Sequence, residues 1–311
     1  FYDSKKSGGI TVSHLRFGKT PIQSAYLIDA ADFVQCSNPS YITRYDMTGD
    51  IKENGTFLFN SSAKSAAELE EVLPAAVKRD IAKKHINLYV IDAIDIAAKL
   101  GLRGRTNTIL QSAFFKVANI IPYDQAVDYM KKMAYKSFAK KGDAVVQMNY
   151  AAIDKAASEL KEIAVPADWA DATTGAAPAK LADDKYFQEV IHPIIALEGD
   201  KLPSSAFNAD GSVPTGTTKF EKRGVAVKIP EWNAENCIQC NQCAFVCPHA
   251  CIRPVLVKDG EEVPATFATK AAIGLKGYSY RMQVSPLDCM GCGVCANICP
   301  TKPDKKALTM I

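Results

Sequence analysis

Cysteine is nearly absent from most of this 311-residue sequence, because residues 1–236 contain only Cys36. The other nine cysteines lie between Cys237 and Cys299. A secreted scaffold held together by disulfides spreads its cysteines over a small, loop-rich fold, so this distribution argues against one. We therefore expect a reducing compartment, the cytoplasm or an anaerobic organelle, and a single cysteine-dependent region late in the chain.

Long apolar runs and a strong net charge are missing as well. No uncharged apolar stretch reaches the roughly 18 residues that suggest a membrane-spanning helix. The formal net charge of +3 gives no electrostatic footprint for nucleic acid or a membrane surface. We therefore expect neither partner. The start, Phe1-Tyr2-Asp3, has no initiator Met and no apolar signal core, and we interpret the chain as an internal part of a longer polypeptide.

The first 165 residues alternate apolar runs with helix-forming segments. Runs rich in aromatic and branched residues predict strands at 26–28, 33–36, 56–59 and 88–91. Helices are predicted at 66–84 with a break at Pro74, and at 94–100, 107–119, 123–140 and 143–163. This alternation predicts an α/β domain with a mainly parallel sheet over residues 1–165. We expect Cys36, in the second run, to be a small buried hydrophobic residue.

The composition changes after residue 165. Residues 166–212 are rich in Pro, Gly, Ala, Ser and Thr, which predicts a connecting segment or small domain. Residues 213–311 hold the nine clustered cysteines and carry 12 Lys or Arg against 8 Asp or Glu, a formal charge of +4. That charge could steer an acidic electron carrier towards this region.

A twelve-residue pattern occurs twice within residues 213–311. Residues 237–248 and 289–300 both follow Cys-x2-Cys-x2-Cys-x3-Cys-Pro. This is the pattern of bacterial ferredoxins with two 4Fe-4S clusters, in which the fourth cysteine binds the other cluster. Three thiolates on one tight loop reach three corners of a cubane, and the fourth corner needs a sulfur from another direction. We therefore predict an α+β ferredoxin-like domain with two ligand sets: Cys237, Cys240, Cys243 and Cys299 for cluster one, and Cys289, Cys292, Cys295 and Cys247 for cluster two.

Zinc and disulfides are alternative uses of these cysteines. The usual zinc signature is two separated Cys-x2-Cys or Cys/His pairs, so a run of three cysteines leaves one unused. Cys251 lies outside both patterns and is expected to be a packed thiol. We expect each Cys-Pro pair to begin a helix.

The insert between the two motifs predicts a hairpin. An apolar run at 255–257 is followed by an Asp259-Gly260 turn and a returning strand that ends at Val263. A half-buried strand is predicted at 278–284. Such an insert could shield one cluster or bind a partner domain.

Residues 8–19 combine two glycines with a His, an Arg and a Lys. Their backbone N–H groups and cations could bind a phosphate, as anion-binding loops do. The alternative is an ordinary turn that leads into the first strand.

Five segments together resemble the pyruvate:ferredoxin (or flavodoxin) oxidoreductase family. They are the two cysteine motifs, residues 280–289, residues 8–18, and residues 104–111 followed by Phe114-Phe115. The resemblance covers nearly the whole chain and implies a gamma-type domain (1–165), a connecting domain (166–212) and an inserted ferredoxin domain (213–311). The family's enzymes decarboxylate pyruvate on thiamine diphosphate, pass electrons along three 4Fe-4S clusters to ferredoxin or flavodoxin, and transfer the acetyl group to coenzyme A.

The sequence departs from the complete family pattern in one respect. It lacks the Gly-Asp-Gly that begins the thiamine diphosphate and magnesium motif, and it lacks the further cysteines of the third cluster. The resemblance therefore implies that these cofactors belong to flanking domains of the same polypeptide, that the intact enzyme is a homodimer, and that this chain alone does not catalyse the full reaction. The family's gamma-type domain closes over coenzyme A, which favours a phosphate-binding role for Gly9, Thr11 and Arg16.

Two rival hypotheses follow from the residues themselves. One is a stand-alone electron-transfer subunit of another iron-sulfur oxidoreductase. The other is a purely structural role for the clusters, as in some nucleic-acid enzymes, although the chain has no basic stripe.

Overall fold

The computed structural model describes residues 10–23, 27–102, 104–177 and 182–311. By their internal contacts these residues form two units. One lies within Ser13–Ala206, and the other combines Phe207–Ile311 with residues 10–12. The domain boundaries that the sequence suggests, after residues 165 and 212, remain a prediction.

The first unit is built on a four-stranded sheet. Its strands are β1 (Ala31–Cys36), β2 (Ile51–Asn60), β3 (Asn87–Ile91) and β4 (Lys161–Ile163), in that order across the sheet. The first three are parallel, and β4 is antiparallel to β3. The mainly parallel α/β sheet is therefore confirmed. Of the first predicted strand, Tyr26 lies outside the described residues, and residues 27–28 are not in a strand.

Among the described residues, six of the seven α-helices of this unit follow the predicted positions closely, with one difference in length, and the last, at 192–195, lies where a connecting segment was predicted. They are α1 (Ala66–Val72), α2 (Ala75–Lys83), α3 (Ala93–Lys99), α4 (Asn107–Ala118), α5 (Tyr123–Phe138), α6 (Asp143–Glu159) and, after a π-helical turn at Phe187–Ile191, α7 (His192–Ile195). The helix predicted to reach residue 163 ends at Glu159, and β4 follows it. Pairing with Leu88 places the side chain of Ile163 in the core, a gain that local composition does not reveal.

The two faces of the sheet pack against different partners. Phe57 and Phe59 of β2 belong to one apolar cluster, which includes residues of α1 and α2 and also Trp169, whereas Leu58 belongs to a second cluster with residues of α3, α4 and α6. This alternation is that of a strand buried on both faces. Cys36 is buried in the first cluster, as predicted, and burial raises the pKa of its thiol to about 12.

A buried lysine ties α1 and α2 to the segment that follows the sheet. Lys78 of α2 is fully buried and forms an ion pair with Glu70 of α1. The indole of Trp169 donates a hydrogen bond to the same carboxylate, Nε1 to Oε2 at 2.6 Å. The hydrogen bond from Lys78 lowers the pKa of Glu70, and Trp169 adds to that effect. A buried ammonium needs such a partner because its desolvation is otherwise uncompensated.

The second unit contains two small sheets and two short helices. Strands β5 (Pro230–Trp232) and β9 (Leu308–Met310) pair antiparallel, and β6 (Ile252–Lys258), β8 (Tyr278–Val284) and β7 (Lys270–Ala271) form a three-stranded antiparallel sheet in that order. The helices are α8 (Gln242–Phe245) and α9 (Val294–Ile298). This arrangement agrees with the predicted α+β ferredoxin-like domain.

Two local predictions for this unit are wrong. Strand β6 pairs with β8 from Ile252↔Val284 to Lys258↔Tyr278, and residues 261–269 are not in a strand. Strand β6 instead takes its antiparallel partner from β8, and the N–H of Asp259 donates to the carbonyl of Gly277 just before that strand. The Cys-Pro pairs also do not begin helices, because Cys247 and Cys299 follow α8 and α9. Proline after a helix stops it, so the same residue serves the opposite end.

Within the described part of the chain, no helix is both long enough and apolar enough to cross a membrane.

The Glu70 ion pair predicts a specific dependence of stability on pH. Because its pKa is lowered in the folded state, its contribution is present above the ordinary glutamate pKa of 4.5 and is lost as pH falls through the folded value. Glu70→Gln should therefore reduce the free energy of unfolding at pH 7 and weaken its loss between pH 5 and pH 3, measured by urea unfolding. Glu71→Gln, at the exposed neighbouring residue, is the control. An acid dependence identical in all three proteins would contradict this role.

Candidate iron-sulfur sites

The two cysteine loops have the same backbone conformation. In each, the residues immediately before and after the second cysteine have positive φ: Gln239 (58°) and Asn241 (61°) in the first loop, and Gly291 (69°) and Gly293 (72°) in the second. This left-handed conformation is rare for residues with a side chain. The positive φ values curl each loop tightly around its three thiols. Gln239 and Asn241 of the first loop thus adopt the conformation that two glycines adopt in the second.

Each loop is completed by a cysteine from the other motif. One cavity is lined by Cys237, Cys240, Cys243 and Cys299, and a second by Cys289, Cys292, Cys295 and Cys247. We call them site one and site two. The structure thus brings together the four cysteines of each predicted set. Their role as ligands remains a prediction.

Hydrogen-bond donors reach the sulfurs in both sites. The backbone N–H of Gln239 donates to Cys237 Sγ (3.4 Å), and that of Gly291 donates to Cys289 Sγ (3.3 Å). Such bonds stabilise negative charge on a thiolate. These two bonds are equivalent in the two loops because both depend on the same positive-φ turn.

The side-chain hydroxyl of Thr301 also reaches a sulfur of site one. Its Oγ1 lies 3.1 Å from Cys299 Sγ and accepts a hydrogen bond from the backbone N–H of Ala307 (3.0 Å). A thiolate can only accept hydrogen bonds. When Cys299 is ionised, the Thr301 hydroxyl therefore donates its hydrogen bond to the sulfur.

The thiols differ in how easily they ionise. Burial raises the pKa of Cys243 to about 11 and also raises that of Cys295. Burial acts in the same direction on Cys299 and Cys247, but hydrogen bonds to each sulfur outweigh it, and both pKa values are lowered. Cys247 and Cys299, the last cysteines of the two motifs, therefore lose a proton more easily than Cys243 and Cys295.

The insert packs against site one. Tyr280 and Met282 of β8 line its cavity, and the Tyr280 hydroxyl donates to Asn241 Oδ1 at 2.7 Å. Gln239 donates to the carbonyl of Ala271 (2.7 Å) and accepts from the N–H of Ile273 (2.8 Å). The side chains at the two positive-φ positions thus bind the insert to the loop. Of the two roles predicted for the insert, this arrangement matches the shielding of one site.

The loop of site two is held by the segment that precedes β5. Lys222 forms an ion pair with Asp288 (2.7 Å), and the N–H of Gly224 donates to the carbonyl of Leu287 (2.8 Å). A Cβ at Gly291 would stand 3.0 Å from the carbonyl oxygen of Lys228. Sequence reasoning missed this support, although a glycine beside Cys292 was a usable signal for a close approach of the backbone.

The β5–β9 ladder contacts both sites. Trp232 pairs with Leu308, and both line site one; Pro230 pairs with Met310, and both line site two. Residues two apart on a strand share a face, so a single short ladder serves both cavities. Sequence reasoning missed these four residues, because β5 and β9 are three residues each and carry no periodic pattern.

The remaining predicted residues have varied surroundings. Cys251 is buried, as expected of a packed thiol, but its Sγ lies 3.4 Å from that of Cys247 and it lines site two. Gly9 lies outside the described residues, Thr11 is exposed, and Arg16 donates to the carbonyl of Leu27 at 2.9 Å. A coenzyme A site at Gly9, Thr11 and Arg16 stays a prediction.

Among the residues that the structure describes, no group of three or more His, Cys, Asp or Glu side chains is placed to hold a single metal ion. A cubane does not require this, because its four protein ligands bind four different irons.

Comparison with known proteins identifies the family. Residues 1–159 match the model described as pyruvate ferredoxin/flavodoxin oxidoreductase. The chain belongs to this family. Residues 236–302 match a 4Fe-4S dicluster domain, which supports iron-sulfur clusters in the cysteine-rich region, and residues 173–226 match a domain of unknown function.

Relatives within the family extend beyond the region that this chain matches. The chain is 56% identical to a pyruvate:ferredoxin oxidoreductase of Moorella thermoacetica over 100% of its own length and 27% of the relative's. It is 49% identical to a pyruvate-flavodoxin oxidoreductase of Enterobacter agglomerans over 99% and 26%, and 39% identical to a pyruvate dehydrogenase [NADP(+)] of Cryptosporidium parvum over 96% and 17%. The chain thus spans about a quarter of the length of the first two relatives.

The close approach at Gly291 predicts an unequal cost of two similar substitutions. Gly291→Ala and Gly260→Ala both place a side chain at positive φ, which costs about 1 to 2 kcal/mol. Only Gly291 also faces a backbone carbonyl, since nothing lies within 4 Å of a Cβ at Gly260. We expect Gly291→Ala to lower the free energy of unfolding by about 1 kcal/mol more than Gly260→Ala, measured in urea. Equal losses would show that the carbonyl of Lys228 moves aside freely.

Proposed function

We propose that this chain is the electron-relay part of an enzyme that oxidises pyruvate with coenzyme A. The observation that carries the proposal is the pair of cavities, each lined by three cysteines of one motif and the last cysteine of the other. Four thiolates from two directions are what a cubane needs, and a mononuclear zinc site would have no use for the doubled pattern. The ligand sets are those that the sequence predicts, for both clusters.

The protein's own residues would hold each cluster and set its surroundings. When bound, a 4Fe-4S cluster supplies a one-electron acceptor and donor at each site. The N–H groups of Gln239 and Gly291 and the hydroxyl of Thr301 would offset the negative charge that accumulates on sulfur. Tyr280 and Met282 would limit the access of water to site one, because both are buried against it.

The second cysteine of each loop marks where electrons could enter or leave. Cys240 and Cys292 are exposed, whereas their six companions are buried or half-buried. Each site therefore has an edge at the surface of its unit. An acidic carrier such as ferredoxin or flavodoxin would be attracted by the +4 charge of residues 213–311. The names of the relatives include ferredoxin, flavodoxin and NADP(+), so the family accommodates more than one acceptor.

The complete reaction would need residues beyond this chain. Pyruvate, coenzyme A and two oxidised one-electron carriers would give acetyl-CoA, carbon dioxide, one proton and two reduced carriers. Thiamine diphosphate, magnesium and a third 4Fe-4S cluster would be bound by other domains of the same polypeptide, in a homodimer. Gly9, Thr11 and Arg16 would contact a phosphate of coenzyme A. An oxygen-sensitive relay of this kind fits a reducing compartment.

A stand-alone electron-transfer subunit is the rival hypothesis. The 56% identity to part of a much longer oxidoreductase favours the relay within a larger enzyme. The close match also extends through the α/β unit, which holds no clustered cysteines and would have no evident use in a simple electron carrier.

Anaerobic reconstitution tests the two sites directly. The protein should bind about eight iron and eight sulfide and give two reducible EPR signals. Cys292→Ala should lose about half of the iron and one signal, whereas Cys36→Ala, at the thiol buried in the other unit, should keep both. One or two zinc ions in place of iron would overturn the proposal.

The crossing of ligands makes a sharper prediction. Cys240→Ala and Cys299→Ala should leave the same remaining EPR signal, that of cluster two. Cys292→Ala and Cys247→Ala should leave the other. If Cys247→Ala instead matched Cys240→Ala, each motif would bind its own cluster and the assignment of the two crossing cysteines would be wrong.

A further inference from the structure

Trp232 carries a polar group that the described protein residues do not satisfy. Its indole Nε1 is buried from solvent, and no hydrogen-bond acceptor lies within reach of it. A buried N–H without a partner costs about 1 to 3 kcal/mol, and native structures rarely tolerate one without a reason. The side chain lines site one together with Cys237, Cys240, Cys243 and Cys299.

The position of the indole is fixed on several sides. Trp232 is held on β5 by its pairing with Leu308, and its ring packs edge-on against Tyr280 with centroids 6.2 Å apart. The guanidinium of Arg281 lies 5.8 Å from the centre of the ring. A side chain constrained in this way cannot easily rotate to find water for its N–H.

The polar neighbours of Trp232 at site one already have partners. Asn241 Oδ1 accepts the hydroxyl of Tyr280, and Thr301 Oγ1 accepts the N–H of Ala307. The indole N–H forms no hydrogen bond with a cysteine sulfur of the cavity either. A bound cluster would bring its own sulfides into the cavity, and bonds from N–H groups to such sulfurs help set the reduction potential of a cluster.

We propose that the Trp232 indole donates an N–H···S hydrogen bond to cluster one and makes that cluster easier to reduce. The inference rests on the proposed ligand set of site one. A donor beside sulfur stabilises the reduced state, in which the cluster carries one more negative charge. Trp232 thus raises the reduction potential of cluster one.

Site two has no equivalent donor on the β5–β9 ladder. Pro230 and Met310 occupy the corresponding pair there, and neither side chain has a hydrogen to donate. The ladder thus places an indole N–H beside one cluster and apolar groups beside the other. Removal of the indole N–H should therefore affect only one of the two clusters.

Trp232→Phe tests the proposal because it keeps an aromatic ring and removes only the N–H. In an EPR-monitored redox titration of the reconstituted protein, the equilibrium constant for reduction of cluster one should fall about three- to tenfold, or about 30 to 60 mV for a one-electron couple. Cluster two should keep its potential. Met310→Leu, on the same ladder at site two, is the matched control and should leave the potential of cluster one unchanged.

A second measurement uses the unaltered sequence. The protein has two tryptophans, and Trp169 already donates to Glu70 at 2.6 Å. With 15N-labelled tryptophan, the reduced protein should show hyperfine coupling of one cluster to an indole 15N and to its exchangeable proton. The coupling should vanish in Trp232→Phe. Absence of coupling in the native protein would overturn the proposal even if the variant failed to take up cluster one.

The outcomes separate this inference from the proposed relay. Two intact clusters whose potentials are both unchanged, or both shifted equally, in Trp232→Phe would overturn the hydrogen bond and leave the relay standing. A native protein that takes up no reducible cluster would overturn the relay and, with it, the inference.

Discussion

Two crossings between the cysteine motifs organise the second unit, each placing the last cysteine of one motif beside the loop of the other. If each cavity holds a cubane, three cysteines on one tight loop cover only part of it, and the crossing supplies the fourth sulfur. Cys299 meets the first loop and Cys247 the second. Cys299 is 56 to 62 positions from the cysteines of the first loop and Cys247 is 42 to 48 positions from those of the second, so neither cavity is independent of the other motif. The short helices and ladders around them stabilise that juxtaposition.

The two cavities share a backbone plan but have different neighbours. Site one is covered by the insert, through Tyr280 and the side chains of Gln239 and Asn241. Site two is supported by the segment around Lys222, and by a backbone carbonyl packed close to Gly291. A duplicated motif thus gives two chemically distinct surroundings, because residues outside the repeat differ. Distinct surroundings are what a relay needs if its two clusters are to differ in potential.

The first unit presents a different balance of forces. Its sheet is covered on both faces by apolar clusters, and the buried ammonium of Lys78 meets Glu70, which also accepts the indole N–H of Trp169. With Lys78 buried and Glu70 half-exposed, the pair stabilises the native state only while both partners keep their charge. The family model matches residues 1–159, which include β1 to β3 and α1 to α6 of this unit.

The amino-acid sequence by itself determined the class of each unit and the eight thiols of the doubled motif. Apolar runs located β1 to β3, helix-forming segments located α1 to α6, and the doubled cysteine pattern predicted two iron-sulfur clusters. Only the tertiary structure decided the rest. The pairing of β6 with β8, the late strand β4 and the contacts of Trp232 depend on residues distant in sequence. Neither a three-residue strand nor an orphaned indole N–H leaves a local signal, since both gain their meaning from what packs against them.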